Sequence, residues 1–255
     1  MRAMFSSLFG FKQPLRGDLE GCAIPSRDGS RLEGALIKAM GQPKGVIIFC
    51  HPFMKYGYHY FIKSGHIDIM SRAGFEGVLF NFKGFGGSKI AGPSFYDDVL
   101  GALDFAHDRF PGMPVHILGS SFGGYHAVHA LAQPGVQAQS AFLDSVPPRA
   151  TNFFRKGPLG VAFRFLNKSP WGSLCGTTPL TDDLDQIKRT PLHFVYGDAD
   201  KYYLEGERHE FSNRTPESRF TMLPGAGHLE AIKKDPARYE QILHDHFLGP
   251  ISSAA

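Results

Sequence analysis

Short apolar runs alternate with segments of helical periodicity along the 255 residues. The runs GVIIFC (45–50), EGVLFNF (76–82), PVHILG (114–119), SAFLD (140–144), PLHFVYG (191–197) and RFTMLPG (219–225) are brief and rich in β-branched and aromatic residues. Each is bounded by Gly or Pro or by a turn-rich stretch, which predicts strands. Most lack strict polar–apolar alternation, as expected of strands covered on both faces of a parallel sheet. Between them, FYDDVLGALDFAHDRF places Val99, Ala102, Leu103, Ala106 and Phe110 on one helical face, and the segment after Pro236 does so with Tyr239, Ile242, Leu243 and Phe247. The early stretch LEGCAIPSRDGSRLEGALI carries a turn signal at Asp28-Gly29 and reads as an antiparallel hairpin at a sheet edge. Strand and helix in repeated alternation predict an α/β fold with a doubly wound, mostly parallel sheet.

One interval breaks that rhythm. Some forty residues, 148–189, separate two strands where a single helix would suffice, and they hold Phe153, Phe154, Phe163, Phe165 and Trp171 among prolines and basic residues. So much aromatic surface argues against a disordered linker. The expected organisation is a core of residues 1–147 and 190–255 with a small helical lid inserted at 148–189. Phe163, Phe165 and Trp171 are candidates for its substrate-facing side. The opening segment MRAMFSSLFGFKQPLRG reads as a short helix whose Met4, Phe5, Leu8 and Phe9 pack on the domain. Its apolar run is broken by Ser6, Ser7 and Gly10, so neither a secretion signal nor a membrane anchor is the preferred reading.

Composition narrows the function classes. A net charge of +3 without a block of Lys or Arg gives no footprint for nucleic acid. No stretch approaches the ~18 apolar residues of a membrane span, so stable membrane insertion is not expected. Three widely spaced cysteines, Cys22, Cys50 and Cys175, fit neither a disulfide framework nor a CxxC metal site. A reducing, cytoplasmic setting is the expectation, with neither metal nor cofactor.

Chemistry concentrates in VHILGSSFGGYHAVHALA, Val115 to Ala132. A buried strand runs into Gly119-Ser120-Ser121-Phe122-Gly123, and a helical pattern follows at once. G-x-S-x-G alone is a weak signal. At a strand-to-helix turn it is strong, because such a turn pushes the hydroxyl of the central serine out beyond the sheet, while the glycines leave room for neighbouring backbone. The helix directs its N-terminal dipole at charge developing there. The register makes Ser121 the candidate nucleophile and leaves Ser120 at the variable position.

Four separated matches, from about Cys50 to Glu230, make the chain resemble an α/β-hydrolase-fold serine hydrolase, close to the serine aminopeptidase-like and esterase branches. They are FCHPF (49–53), NFKGFGGS (81–88), the serine turn itself, and the late pair YGDADKY (196–202) and PGAGHLE (224–230). The resemblance implies a base and an acid in the order Ser, acid, His. His228, in a Gly-rich turn after a strand, is the implied base. Asp200 matches the family's acid position, with Asp198 in the same turn and Asp144 at the end of the preceding strand as alternatives. The implied oxyanion hole consists of the backbone N–H groups of Phe53 and Phe122. Here the chain departs from the family, since Pro52 stands where a glycine is usual and restricts the loop. His51 and Cys50 read as structural. The aromatic loop FMKYGYHYF offers Tyr56 and Tyr58 as further substrate-binding candidates.

The implied activity is hydrolysis of a small-molecule acyl substrate, an ester before a thioester or amide, through a covalent acyl-enzyme. A serine at the turn disfavours hydrolases with an aspartate nucleophile. The reading of a different class is a binding or receptor protein that keeps the fold and has negligible turnover.

Overall fold

The computed structural model describes residues 13–149, 180–203, 211 and 219–249. The opening segment with Met4, Phe5, Leu8 and Phe9, and Phe163, Phe165, Trp171 and Cys175 farther on, lie outside the described residues.

Eight strands form one sheet in the order β1-β2-β4-β3-β5-β6-β7-β8. The expected hairpin is β1 (Glu20–Pro25) and β2 (Arg31–Ile37), antiparallel in the register Pro25 opposite Arg31. Its turn closes through Gly29, at φ 82°, and through Asp28 Oδ1, which accepts from the Ser30 N–H at 3.0 Å. The hairpin sits at the sheet edge, with β2 pairing antiparallel to β4 (Phe75–Phe80). From there β3 (Gly45–Cys50), β5 (Val115–Ser120), β6 (Ala141–Asp144), β7 (Leu192–Gly197) and β8 (Arg219–Leu223) continue the sheet in parallel.

Side chains of the central strands divide by parity between two layers. Val46, Ile48 and Cys50 of β3 face one cluster with Ile117 of β5, while Ile47 and Phe49 face the other with Leu118. The first layer is completed by α3 (Tyr96–Arg109), α4 (Phe122–Leu131) and α5 (Leu180–Leu184). Val99, Ala102, Leu103 and Ala106 are buried on the predicted face of α3. The second layer is built from α1 (His59–Lys63), α2 (His66–Arg72), α6 (Ala231–Lys234) and α7 (Pro236–Phe247). Pro236 opens α7, the Asp235 carboxylate caps it from the Arg238 N–H at 3.0 Å, and Tyr239, Ile242, Leu243 and Phe247 are buried. Of the 148–189 interval, α5 packs Leu180 and Leu184 into the core, and Asp183 pairs with His129 of α4. Among the described residues no helix is long and apolar enough to cross a membrane.

Burial has an electrostatic consequence. His51, His66, His116 and His193 sit in the core, and loss of hydration pushes their pKa values down from 6.5 to about 4, 3, 4 and 4. Between pH 6.5 and those values the unfolded chain binds more protons than the folded one, so stability is full above 6.5 and falls as the pH drops. The urea midpoint is therefore expected to decline steadily from about pH 6.5 to 4. A midpoint that is flat across that window would contradict the neutral burial of these rings.

Candidate functional site

Strand order reverses between β3 and β5, which lie side by side while their flanking strands diverge, and ligands of such sheets sit beyond the carboxyl ends of the strands at that point. Ser121 follows β5 there, and the His51-Pro52-Phe53 loop follows β3. Ser121 has φ 52° and ψ −116°, a conformation costly for any residue with a Cβ. Its neighbours hold it there. The Ser121 N–H donates to the Asp144 carbonyl at 2.8 Å, and the Ser121 carbonyl accepts the first helical bond, from Tyr125 N–H at 2.9 Å.

The glycines serve close approach. A Cβ on Gly119 would stand 2.6 Å from Gly124 Cα, one on Gly124 would stand 2.3 Å from Val146 Cγ2, and one on Gly123 would stand 2.1 Å from the Cys50 carbonyl oxygen. Strand, turn and helix are thus pressed together, and the exit of β3 lies directly against the start of α4.

His228 reaches the same place from the other end of the chain. Its Nε2 lies 2.9 Å from Ser121 Oγ and its Nδ1 lies 2.8 Å from Asp200 Oδ2. Asp200 Oδ1 accepts from the Tyr202 N–H at 2.9 Å, which fixes the carboxylate, and the Tyr202 ring meets the imidazole edge-on at 4.7 Å. The Asp200 side chain is 1% exposed and that of His228 16%, so the imidazole opens to solvent while the acid does not. Two backbone features deliver the histidine: Leu229 takes φ 60°, and its N–H donates to Ser145 Oγ at 3.0 Å. The arrangement can pass a proton from a serine hydroxyl to an imidazole whose far nitrogen is anchored on a carboxylate.

The alternative acids are occupied elsewhere. Asp198 Oδ1 accepts from the Gly225 N–H at 2.6 Å, bracing the two late turns against each other. Asp144 is fully buried, with Oδ1 2.8 Å from Ser145 Oγ and Oδ2 2.7 Å from Tyr239 Oη.

The β3 exit loop is held by His51. Its Nδ1–H donates to the Pro52 carbonyl at 2.8 Å, leaving Nε2 to accept the Phe82 N–H at 3.0 Å, and burial keeps the ring neutral. It therefore has no nitrogen to spare for acid–base work. Cys50 is fully buried, and loss of hydration pushes its thiol pKa far up. The structure brings Phe53 and Phe122 together, their rings 5.4 Å apart at 73°. Phe122 opens α4, where an N–H has no carbonyl within its own helix. Phe53 is 51% exposed and also meets Phe85 edge-on, while Phe122 meets Phe82 and Phe95.

Of the tyrosine candidates, Tyr58 is 3% exposed in the second core layer, stacked on His59, with its N–H donated to Asn81 Oδ1. Tyr56 is half-buried, with the Lys63 ammonium 3.8 Å from its ring centre. Phe163, Phe165 and Trp171 are outside the described residues. Sequence reasoning missed Tyr202, Ser145 and the aromatic neighbours Phe85 and Phe95. Nothing in the local pattern marks them, since each is recruited by the crossing of segments far apart in the chain. Among the described residues no three His, Cys, Asp or Glu side chains converge as a metal site requires.

A family model described as alpha/beta hydrolase fold matches residues 45–168. No curated protein matches the chain in sequence. Among solved structures, an esterase of Pyrococcus furiosus, Pf2001, superposes with a TM-score of 0.72 at 17% identity, over 93% of this chain and 96% of that one. A Bacillus coagulans carboxyl esterase described as highly thermostable gives 0.71 at 14% identity, over 92% and 99%. XC6422 of Xanthomonas campestris, described as a serine hydrolase without lid, gives 0.62 at 15% identity, over 92% and 96%. Strand order, the match over residues 45–168 and the structural neighbours agree that the chain has the α/β-hydrolase fold.

Proposed function

We propose that the protein is a serine hydrolase that cleaves a carboxylic ester through a covalent acyl-enzyme, with thioester and small amide bonds within reach of the same chemistry. The observation that carries the reading is the unbroken contact from Ser121 Oγ to His228 Nε2, 2.9 Å, and from His228 Nδ1 to Asp200 Oδ2, 2.8 Å. In this mechanism Ser121 Oγ attacks the substrate carbonyl carbon as His228 Nε2 takes its proton. Asp200 holds the Nδ1–H tautomer and stabilises the imidazolium. The oxyanion accepts from the Phe53 and Phe122 N–H groups. The imidazolium then protonates the leaving alcohol. A water, deprotonated by His228, attacks the acyl-enzyme, releases the acid and returns the proton to Ser121.

The names of the structural neighbours, two of them esterases, support an ester over other acyl substrates. The half-exposed Phe53 ring beside the serine turn supports an apolar acyl or aryl group. Cys22 and Cys50 are free thiols, in keeping with a reducing, cytoplasmic setting. A fluorophosphonate probe is expected to label one residue, Ser121, and a chromogenic short-chain ester to give a burst of product followed by steady turnover. Neither label nor turnover from folded protein would leave a non-catalytic binding protein in its place.

A further inference from the structure

Asp144 occupies a position from which it touches both halves of the site. Its carbonyl accepts the Ser121 N–H at 2.8 Å. Its side chain reaches Ser145 Oγ, which in turn accepts the N–H of Leu229, the residue after His228. It is also one end of a chain that is buried through Tyr239 of α7 and His66 of α2 and ends at the partly buried Ser64, just after α1.

Counting protons along that chain shows what Asp144 must carry. Ser64 Oγ is 2.7 Å from the Tyr60 carbonyl oxygen and 2.6 Å from His66 Nδ1. The Tyr60 carbonyl already accepts the Ser64 N–H at 2.9 Å, and the 2.7 Å contact of Ser64 Oγ with the same oxygen, which can only accept, places the hydroxyl proton there too, the usual back-bond of a serine one turn on. His66 Nδ1 then supplies the proton it shares with Ser64. Burial, which pushes this ring down to about 3, denies it a second one. His66 Nε2 is therefore a bare acceptor, and its partner at 3.1 Å, Tyr239 Oη, spends its one proton there. None remains for the contact of 2.7 Å between Tyr239 Oη and Asp144 Oδ2. On the other side Ser145 Oγ receives the Leu229 N–H and so gives its own proton to Asp144 Oδ1. With an ionised Asp144 the protons would have to shift along the chain, leaving the Tyr60 carbonyl with the Ser64 N–H alone and two oxygens, Ser64 Oγ and Tyr60 O, at 2.7 Å with no proton between them.

We propose that Asp144 is a neutral carboxylic acid that donates from Oδ2 to Tyr239 and accepts at Oδ1 from Ser145, and that it positions the His228 turn relative to Ser121. Its surroundings agree. Full burial raises its pKa, as does the negative charge of Asp200, while Tyr239, Ser145 and His228 pull the other way. From the helices the Tyr60 and Tyr239 hydroxyls face it, and the His66 ring stands behind Tyr239. A neutral acid also leaves Asp200, among the described residues, as the carboxylate bonded to the imidazole.

The positioning role rests on the hydrolase reading, whereas the protonation state does not. Infrared difference spectra of wild type against Asp144→Asn, both with carbon-13 aspartate at neutral pH, read the proton directly. A protonated carboxyl band present in wild type and lost in the variant is expected, and loss of a carboxylate band instead would overturn the proposal. On a short-chain ester, Asp144→Ala is expected to lower kcat about tenfold with little change in KM, and Asp144→Asn, which keeps a donor and an acceptor in place, to restore most of it. Ser145→Ala, which removes the hydroxyl that joins Asp144 to the Leu229 N–H, is expected to fall about as far as Asp144→Ala. Wild-type kcat in a folded Ser145→Ala variant would remove the positioning role. If wild type turns over no ester at all, the hydrolase reading fails while the infrared band still decides the proton.

Discussion

Ser121→Ala is expected to lower ester turnover by about four to six orders of magnitude while the protein still folds. The size follows from what is removed. Without Oγ there is no nucleophile for His228 to activate, and the residual rate would come from water in a site that still holds its oxyanion donors and binding surface. Folding should survive, because the strain at φ 52° is already borne by a residue with a Cβ and alanine adds no atom. The bonds that hold the turn, from the Ser121 N–H to Asp144 and from Tyr125 to the Ser121 carbonyl, are backbone and remain. Ser120→Ala is the control. Ser120 is fully buried at the end of β5, and losing its hydroxyl should change turnover by no more than about threefold. Thermal melts of both variants, with steady-state rates on one ester, check the pair. A dead Ser120→Ala beside an active Ser121→Ala would shift the nucleophile by one residue.

Much of the frame was legible because its signals are local. The core strands announce themselves as short apolar runs, since burial on both faces leaves no polar alternation, and the predicted faces of α3 and α7 are the buried ones. The serine turn was legible for a related reason. Glycines at 119 and 123 flank the serine because backbone from β3 and α4 passes within reach of where their side chains would stand. His228 and Asp200 could be named only through resemblance, because what joins them to Ser121 is the crossing of loops from β5, β7 and β8. The sequence left three aspartates open. It showed no trace of Tyr239 and His66 beneath Asp144, as a buried tyrosine on an apolar face looks like any other core residue. Pro52, which put the loop after β3 in question, proves compatible with it: His51 bonds the Pro52 carbonyl, and Phe53 packs against Phe122.

Asp200→Asn is expected to reduce kcat by about four orders of magnitude, far more than the same change at Asp198 or Asp144. The carboxylate oxygen 2.8 Å from His228 Nδ1 can only accept, so it fixes the tautomer with Nδ1–H and leaves Nε2 free to take the Ser121 proton. An amide offers either a carbonyl oxygen or an NH₂ there. The other carboxylate oxygen already accepts the Tyr202 N–H, so the amide oxygen is drawn to that side and its NH₂ turns toward the imidazole. Two donors then face each other, and the ring relieves the clash by moving its proton to Nε2, where it can no longer act as base. Asp198→Asn keeps an acceptor for the Gly225 N–H and should cost no more than about fivefold. Asp144→Asn resembles the neutral acid already in place and should cost little. Rates for all three on one ester, with melts to show that each is folded, rank the carboxylates. A deeper loss at Asp144 than at Asp200 would move the acid to the end of β6 and would also require Asp144 to be charged, so one measurement bears on both the catalytic assignment and the proton held beneath it.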